Sequence, residues 1–114
     1  ATRRAALALP ALALPALAAL ALAAPAAADD PDRPITLVIP FAAGGSTDVV
    51  GRIVAERMGA ELGQQVIVQN VGGAGGSLGA AQVAEAAPDG HTILMGTVAT
   101  HALNPLVLAD VAYD

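Results

Sequence analysis

Between Ile35 and Leu62 an apolar run, a glycine turn and a helix-patterned stretch follow one another without a gap, and that succession points to an α/β architecture. Ile35, Leu37, Val38 and Ile39 are nearly continuous in apolar character, as a strand covered on both faces requires. Pro40 ends the strand because it has no N–H for a sheet ladder. Gly44 and Gly45 allow a sharp turn and close approach of backbone to a ligand, and Ser46, Thr47 and Asp48 are all good helix N-caps. Val49, Val50, Ile53, Val54, Met58 and Leu62 then recur at helical spacing, which predicts a helix over about 48–62 with Gly63 as its stop. A strand feeding a glycine turn and a helix N-terminus is a natural anion site. It is equally an ordinary βα turn with no ligand.

The same unit repeats. A second strand is expected over Gln65–Gln69, a second glycine turn over Asn70–Gly76 and a second helix over Ser77–Ala87. Pro88-Asp89-Gly90 reads as a turn, Thr92–Met95 as a third strand, and Gly96–His101 as a third turn of small residues. A short helical segment follows over about 102–108, with Asn104-Pro105 interrupting it. The alternation βαβαβ implies a parallel sheet with right-handed crossovers. All three turns then lie beyond the carboxyl ends of strands, where open α/β sheets bind ligands.

The first 28 residues have another character. Arg3 and Arg4 precede an uncharged stretch of Ala, Leu and Pro, closed by Ala26-Ala27-Ala28 and followed by Asp29-Asp30. That layout predicts a cleavable secretory signal peptide over 1–28. The alternative is a membrane anchor, against which Pro10, Pro15, Pro25 and the weakly hydrophobic alanines argue. The stretch after the leader supplies few strands for a repeating strand–helix pattern, so the sequence is expected to be the N-terminal part of a longer protein.

Charge and composition narrow the chemistry. Residues 29–114 hold all ten acidic side chains against Arg33, Arg52 and Arg57, a poor balance for nucleic acid or an anionic membrane. The absence of lysine removes P-loop and Schiff-base chemistry, and the absence of cysteine removes disulfides, thiol catalysis and cysteine metal sites. Arg52/Glu56 and Arg57/Glu61 fit i,i+4 surface pairs without a functional part. His91 and His101 lack metal-ligand spacing, read as exposed polar residues, and give no metal site. Gly73, Gly75 and Gly79 miss the dinucleotide spacing, so no cofactor is expected. Gly75-Gly76-Ser77-Leu78-Gly79 matches a nucleophile elbow in letters, but a glycine run separates it from its strand, and no acid–histidine pair follows in convincing order. Phe41 either walls a ligand pocket or plugs the strand end. Asp48 either contacts a ligand or caps the helix.

Pro40-Phe41-Ala42-Ala43-Gly44-Gly45-Ser46-Thr47-Asp48 closely resembles the first binding-loop motif of the Bug family, the extracytoplasmic solute receptors of tripartite tricarboxylate transporters. Asn70 with Gly73-Ala74-Gly75-Gly76, Ala87–Thr92, Met95-Gly96-Thr97 and His101–Pro105 resemble the same family in the same order. Val71-Gly72 departs from it, standing where members often carry Arg-Pro. The resemblance covers residues 34–114. It implies a periplasmic-binding-protein-like (type II) α/β lobe, here the N-terminal part of lobe one of a two-lobed and much longer receptor. It further implies capture of a small carboxylate in the periplasm and delivery to membrane permease subunits, with no catalysis. Carried over by position, Phe41, Ala43, Gly44, Gly45, Ser46, Thr47 and Asp48 of the first turn, with Gly96, Thr97 and Thr100 of the third, would contact the ligand. Backbone N–H groups and hydroxyls would hold the carboxylate, without a basic cluster.

Overall fold

The computed structural model describes residues 32–114. The signal-peptide reading of 1–28 lies outside them. The chain forms β1 (Ile35–Ile39), α1 (Ser46–Leu62), β2 (Val66–Asn70), a 3-10 turn (Ala74–Gly76), α2 (Ser77–Glu85), β3 (Thr92–Leu94), a π-helical turn (Ala99–Leu103) and α3 (Asn104–Val107). The three strands make one parallel sheet in the order β2-β1-β3. Leu37 stands between Val68 on one side and Ile93 on the other. The expected βαβαβ succession is present, with boundaries moved by one or two residues. Asn104-Pro105 falls inside a helical run, as expected, at the point where the π-helical turn passes into α3.

β1 is the buried centre. Leu37, Val38 and Ile39 are all sealed from solvent, and since successive side chains point to opposite faces, both faces must be covered. α1 packs on β1 and β2, and α2 on β1 and β3. Leu37, Ile39 and Ala55 form the core of the α1 side, with Val66, Val68, Ile93 and Met95 around them. Gly79 of α2 approaches Pro40 so closely that a Cβ there would lie 2.9 Å from the proline Cα.

The stripe that α1 turns to the sheet is not the expected one. Asp48, Gly51 and Ala55 are buried, whereas Val49, Val50, Ile53 and Val54 are exposed. The helix sits too close for bulk at its contact line: a Cβ on Gly51 would fall 2.5 Å from Ile39 Cδ1. Small residues decide the contact, and the larger apolar ones follow the same period on the outer side. The αL residue Gly63 ends the helix as expected, its N–H returning to the Gly59 carbonyl.

The Pro88-Asp89-Gly90 turn is closed by Asp89 Oδ1, which accepts the His91 N–H at 3.0 Å. That bond, with Arg33 beside it, lowers the Asp89 pKa. His91 is not the exposed residue expected: its side chain is 12% exposed, and Nδ1 is buried without a partner among the described residues.

Candidate functional site

In a sheet ordered β2-β1-β3 the chain leaves β1 toward one edge and then crosses to the other. The carboxyl ends of β1 and β3 therefore flank a topological switch point, where the two connections diverge and leave a crevice. The loops after β1 and β3 are the two that carry the sequence-predicted site residues.

The first loop is fixed from the β2 side. Asp48 is the third residue of α1, and the N-cap is Gly45, which makes no side-chain cap bond. The capping expectation for Asp48 is thus corrected: the side chain turns back along the loop rather than closing the helix end. Its Oδ2 accepts the Gly44 N–H at 2.8 Å and Arg52 Nε at 3.1 Å. Its Oδ1 accepts Asn70 Nδ2 at 2.9 Å. The same Asn70 amide donates to the Phe41 carbonyl at 3.2 Å, and Asn70 Oδ1 accepts Arg52 Nη2 at 3.2 Å. The Gly44 N–H first, then Arg52 and Asn70, hold the Asp48 carboxyl at about 2, so it is ionised at neutral pH. Arg52 belongs to this network rather than to the expected pair with Glu56. Since Gly44 N–H is spent on Asp48, the next N–H groups, at the start of α1, are those without a helical partner.

The third loop is arranged differently. Thr100 is wholly buried, and its hydroxyl accepts the Thr97 N–H at 2.9 Å. Tyr113 Oη donates to the Thr100 carbonyl at 2.7 Å. Buried Asn104 donates to the Gly75 carbonyl at 3.0 Å, tying α3 to the second loop. Gly96, Thr97, Val98, His101 and Ala102 line an open cavity of about 600 Å³. Gly76 joins the loops: at φ 92° it holds a conformation that side chains rarely adopt, and a Cβ there would lie 2.8 Å from Thr100 Cγ2 and 3.2 Å from Phe41 Cζ. The Phe41 ring, the second loop and the Thr100 methyl therefore meet at one point.

The predicted site residues divide accordingly. Ala43, Gly44, Gly45, Ser46 and Gly96 are exposed, Phe41, Thr47 and Thr97 half-buried, Asp48 and Thr100 buried. Phe41 and Thr100 are brought together, and Gly96 with Thr97 borders the cavity, whereas Ala43 to Thr47 do not line it. Arg52, Asn70, His101 and Asn104 were missed as parts of the site. Asn70 closes the apolar run Val66-Ile67-Val68 and, like His101 and Asn104, stands in a motif that carries the family resemblance, but none of the three was assigned a contact.

Ser77 does not form an elbow. It follows a 3-10 turn instead of a strand and has an ordinary helical backbone, φ −68° and ψ −28°, where an elbow serine is strained. Its hydroxyl donates to the Ala74 carbonyl at 2.8 Å. Among the described residues no histidine or carboxylate shares a hydrogen bond with it.

Comparison with known proteins gives consistent findings. Residues 50–114, more than half of the chain, match the model of the tripartite tricarboxylate transporter family receptor. Protein BugT of Bordetella pertussis is 47% identical over 74 residues, which are 64% of this chain and 23% of that protein. MatC of Rhodopseudomonas palustris, solved with bound malate, superposes at TM-score 0.70 with 46% identity, covering 73% of this chain and 28% of that one. A protein of R. palustris solved with adipate gives 0.72 and 41%, covering 75% and 29%. The chain spans about a fifth of the length of the first curated relatives it matches.

Proposed function

The chain belongs to the tripartite tricarboxylate transporter receptor family, and from that premise we propose that the protein carrying it is a periplasmic receptor that captures a small carboxylate and hands it to the membrane subunits of a transporter. In this reading residues 1–28 are an export signal and residues 29–114 the beginning of the first of two lobes. What supports it is the switch point: the loop after β1 leads into the start of α1, where N–H groups lack helical partners, and the loop after β3 bears Thr97 and an open cavity. Such a site suits an anion, since a helix N-terminus offers both unpaired donors and the positive end of its dipole. The carboxylate would be held by the N–H groups of Gly45, Ser46 and Thr47 and by the hydroxyls of Ser46, Thr47 and Thr97, with Phe41 as the wall. Asp48 and Thr100, whose polar atoms are already engaged, shape the loops behind these contacts. The relatives solved with malate and adipate support a carboxylate ligand, and no residue is assigned a catalytic part.

Calorimetry of the full-length protein against a panel of mono-, di- and tricarboxylates, malate and adipate among them, tests the reading. Saturable binding of at least one member is expected, unchanged in Ser77→Ala. Failure of every member to bind a folded protein would overturn it.

A further inference from the structure

His101 borders the cavity of about 600 Å³ and also a smaller one of about 210 Å³ beside Thr100, Pro105 and Tyr113. Its ring is held on two sides. It lies over Gly96, where a Cβ would fall 2.7 Å from Cε1 and 3.1 Å from Nδ1. On the other side Nδ1 is 2.7 Å from the hydroxyl of buried Thr100. That hydroxyl has one proton and three acceptors in reach, His101 Nδ1, the Thr97 carbonyl at 3.0 Å and the Thr97 hydroxyl at 3.4 Å. The carbonyl already accepts the His101 backbone N–H at 3.0 Å. A hydroxyl that sends its proton to Nδ1 makes that ring nitrogen the acceptor. A neutral imidazole that accepts at Nδ1 carries its own proton on Nε2. A protonated imidazole carries N–H at both nitrogens, and the hydroxyl proton then turns to the Thr97 carbonyl. With Nδ1 as acceptor, Nε2 is a donor in both charge states, and among the described residues Nε2 has no hydrogen-bond partner.

We propose that His101 contacts the ligand, its Nε2–H donating to a carboxylate or hydroxyl oxygen of the bound organic acid, with Thr100 as the positioning residue that fixes the ring. The inference rests on the carboxylate-receptor reading above. It adds a side-chain donor that is uncharged or cationic to a site otherwise built from backbone and hydroxyl groups.

The test uses the full-length protein with the tightest-binding member of the carboxylate panel. His101→Phe keeps a ring over Gly96 and removes both nitrogens. Its affinity is expected to fall about tenfold, the loss of one hydrogen bond to a charged group, with the melting temperature of the ligand-free protein unchanged. Nitrogen NMR of the histidine rings gives the second readout. The Nε2 resonance that disappears in His101→Phe should report an Nε2–H tautomer and should move on addition of the carboxylate. Unchanged affinity in His101→Phe, or an Nε2 resonance indifferent to saturating ligand, overturns the inference and leaves the receptor reading standing. A parent protein that binds no panel member removes both.

Discussion

The loop after β1 has two neighbours, and they treat it in opposite ways. Toward β2, both oxygens of Asp48 and both ends of the Asn70 amide are engaged, with Arg52 bridging the two side chains. Toward β3, an open cavity is bordered by the half-buried Thr97 and by His101, whose Nε2 is unengaged among the described residues. A buried polar group whose bonds are all made rigidifies its surroundings and has nothing left for a ligand. The β2 side therefore sets the shape of the loop, and the proposed ligand donors are left to the start of α1 and to the β3 side. Sequence position alone places Asp48 and Thr100 among the expected contacts; in the structure their polar atoms are engaged within the protein.

The contrast can be broken from the shaping side first. Asp48→Ala leaves Gly44 N–H, Arg52 and Asn70 without their common acceptor, and is expected to lower both the melting temperature and carboxylate affinity of the full-length protein more than any other change considered. A stable variant with parental affinity would mean the network is ornamental. The pH profile sharpens the same point. With its carboxyl held at about 2 against an ordinary 3.8, Asp48 contributes stability that is complete above the ordinary value and is lost as pH falls toward 2. Thermal melts should show that loss in the parent and a shallower one in Asp48→Asn, where Asp89, also lowered, supplies the residue of the slope. Identical slopes would remove Asp48 as the cause.

Asn70→Ala is the next in size. It leaves Asp48 Oδ1 and the Phe41 carbonyl unpaired, at a cost of about 1–3 kcal/mol in unfolding free energy, measurable by urea titration. Its loss of affinity should accompany the loss of stability. Gly45→Val should separate the two. The backbone there is extended, at φ −76°, and a Cβ would meet only the Ala42 carbonyl, at 3.6 Å, so the fold loses only glycine's advantage over valine at an N-cap. A side chain at the start of α1 would still obstruct an anion. Affinity should fall about tenfold, as for one lost charge-assisted hydrogen bond, with the melt lowered only by the poorer N-cap. Parental affinity in folded Gly45→Val would take the first loop out of the site.

Much of this arrangement was legible in the residues. The apolar run of β1, the glycine turns and the stop at Gly63 are local properties, and local chemistry set them. The helical period of α1 was legible too, but not its phase. Spacing reports which residues share a face; only the proximity of Ile39 reveals that the face of Gly51 and Ala55 is the inner one. Asn70 and Asp48 meet because β2 lies beside β1, and nothing near either residue announces it. His101 escaped for a similar reason: its partner Thr100 is adjacent in sequence, yet the ring is directed by the room that Gly96 leaves.

One feature of the sheet also bears on how the chain is made. The central strand is the first to be synthesised, since Leu37 pairs with Val68 on one side and Ile93 on the other. A nascent chain that ends before β3 carries this most apolar strand with one edge bare, and a chain that ends before β2 carries it with both. Bare strand edges are templates for wrong pairing. Pairing of β1 therefore cannot be completed until β3 has been made, and whatever keeps the chain from associating in the meantime acts first on residues 35–39.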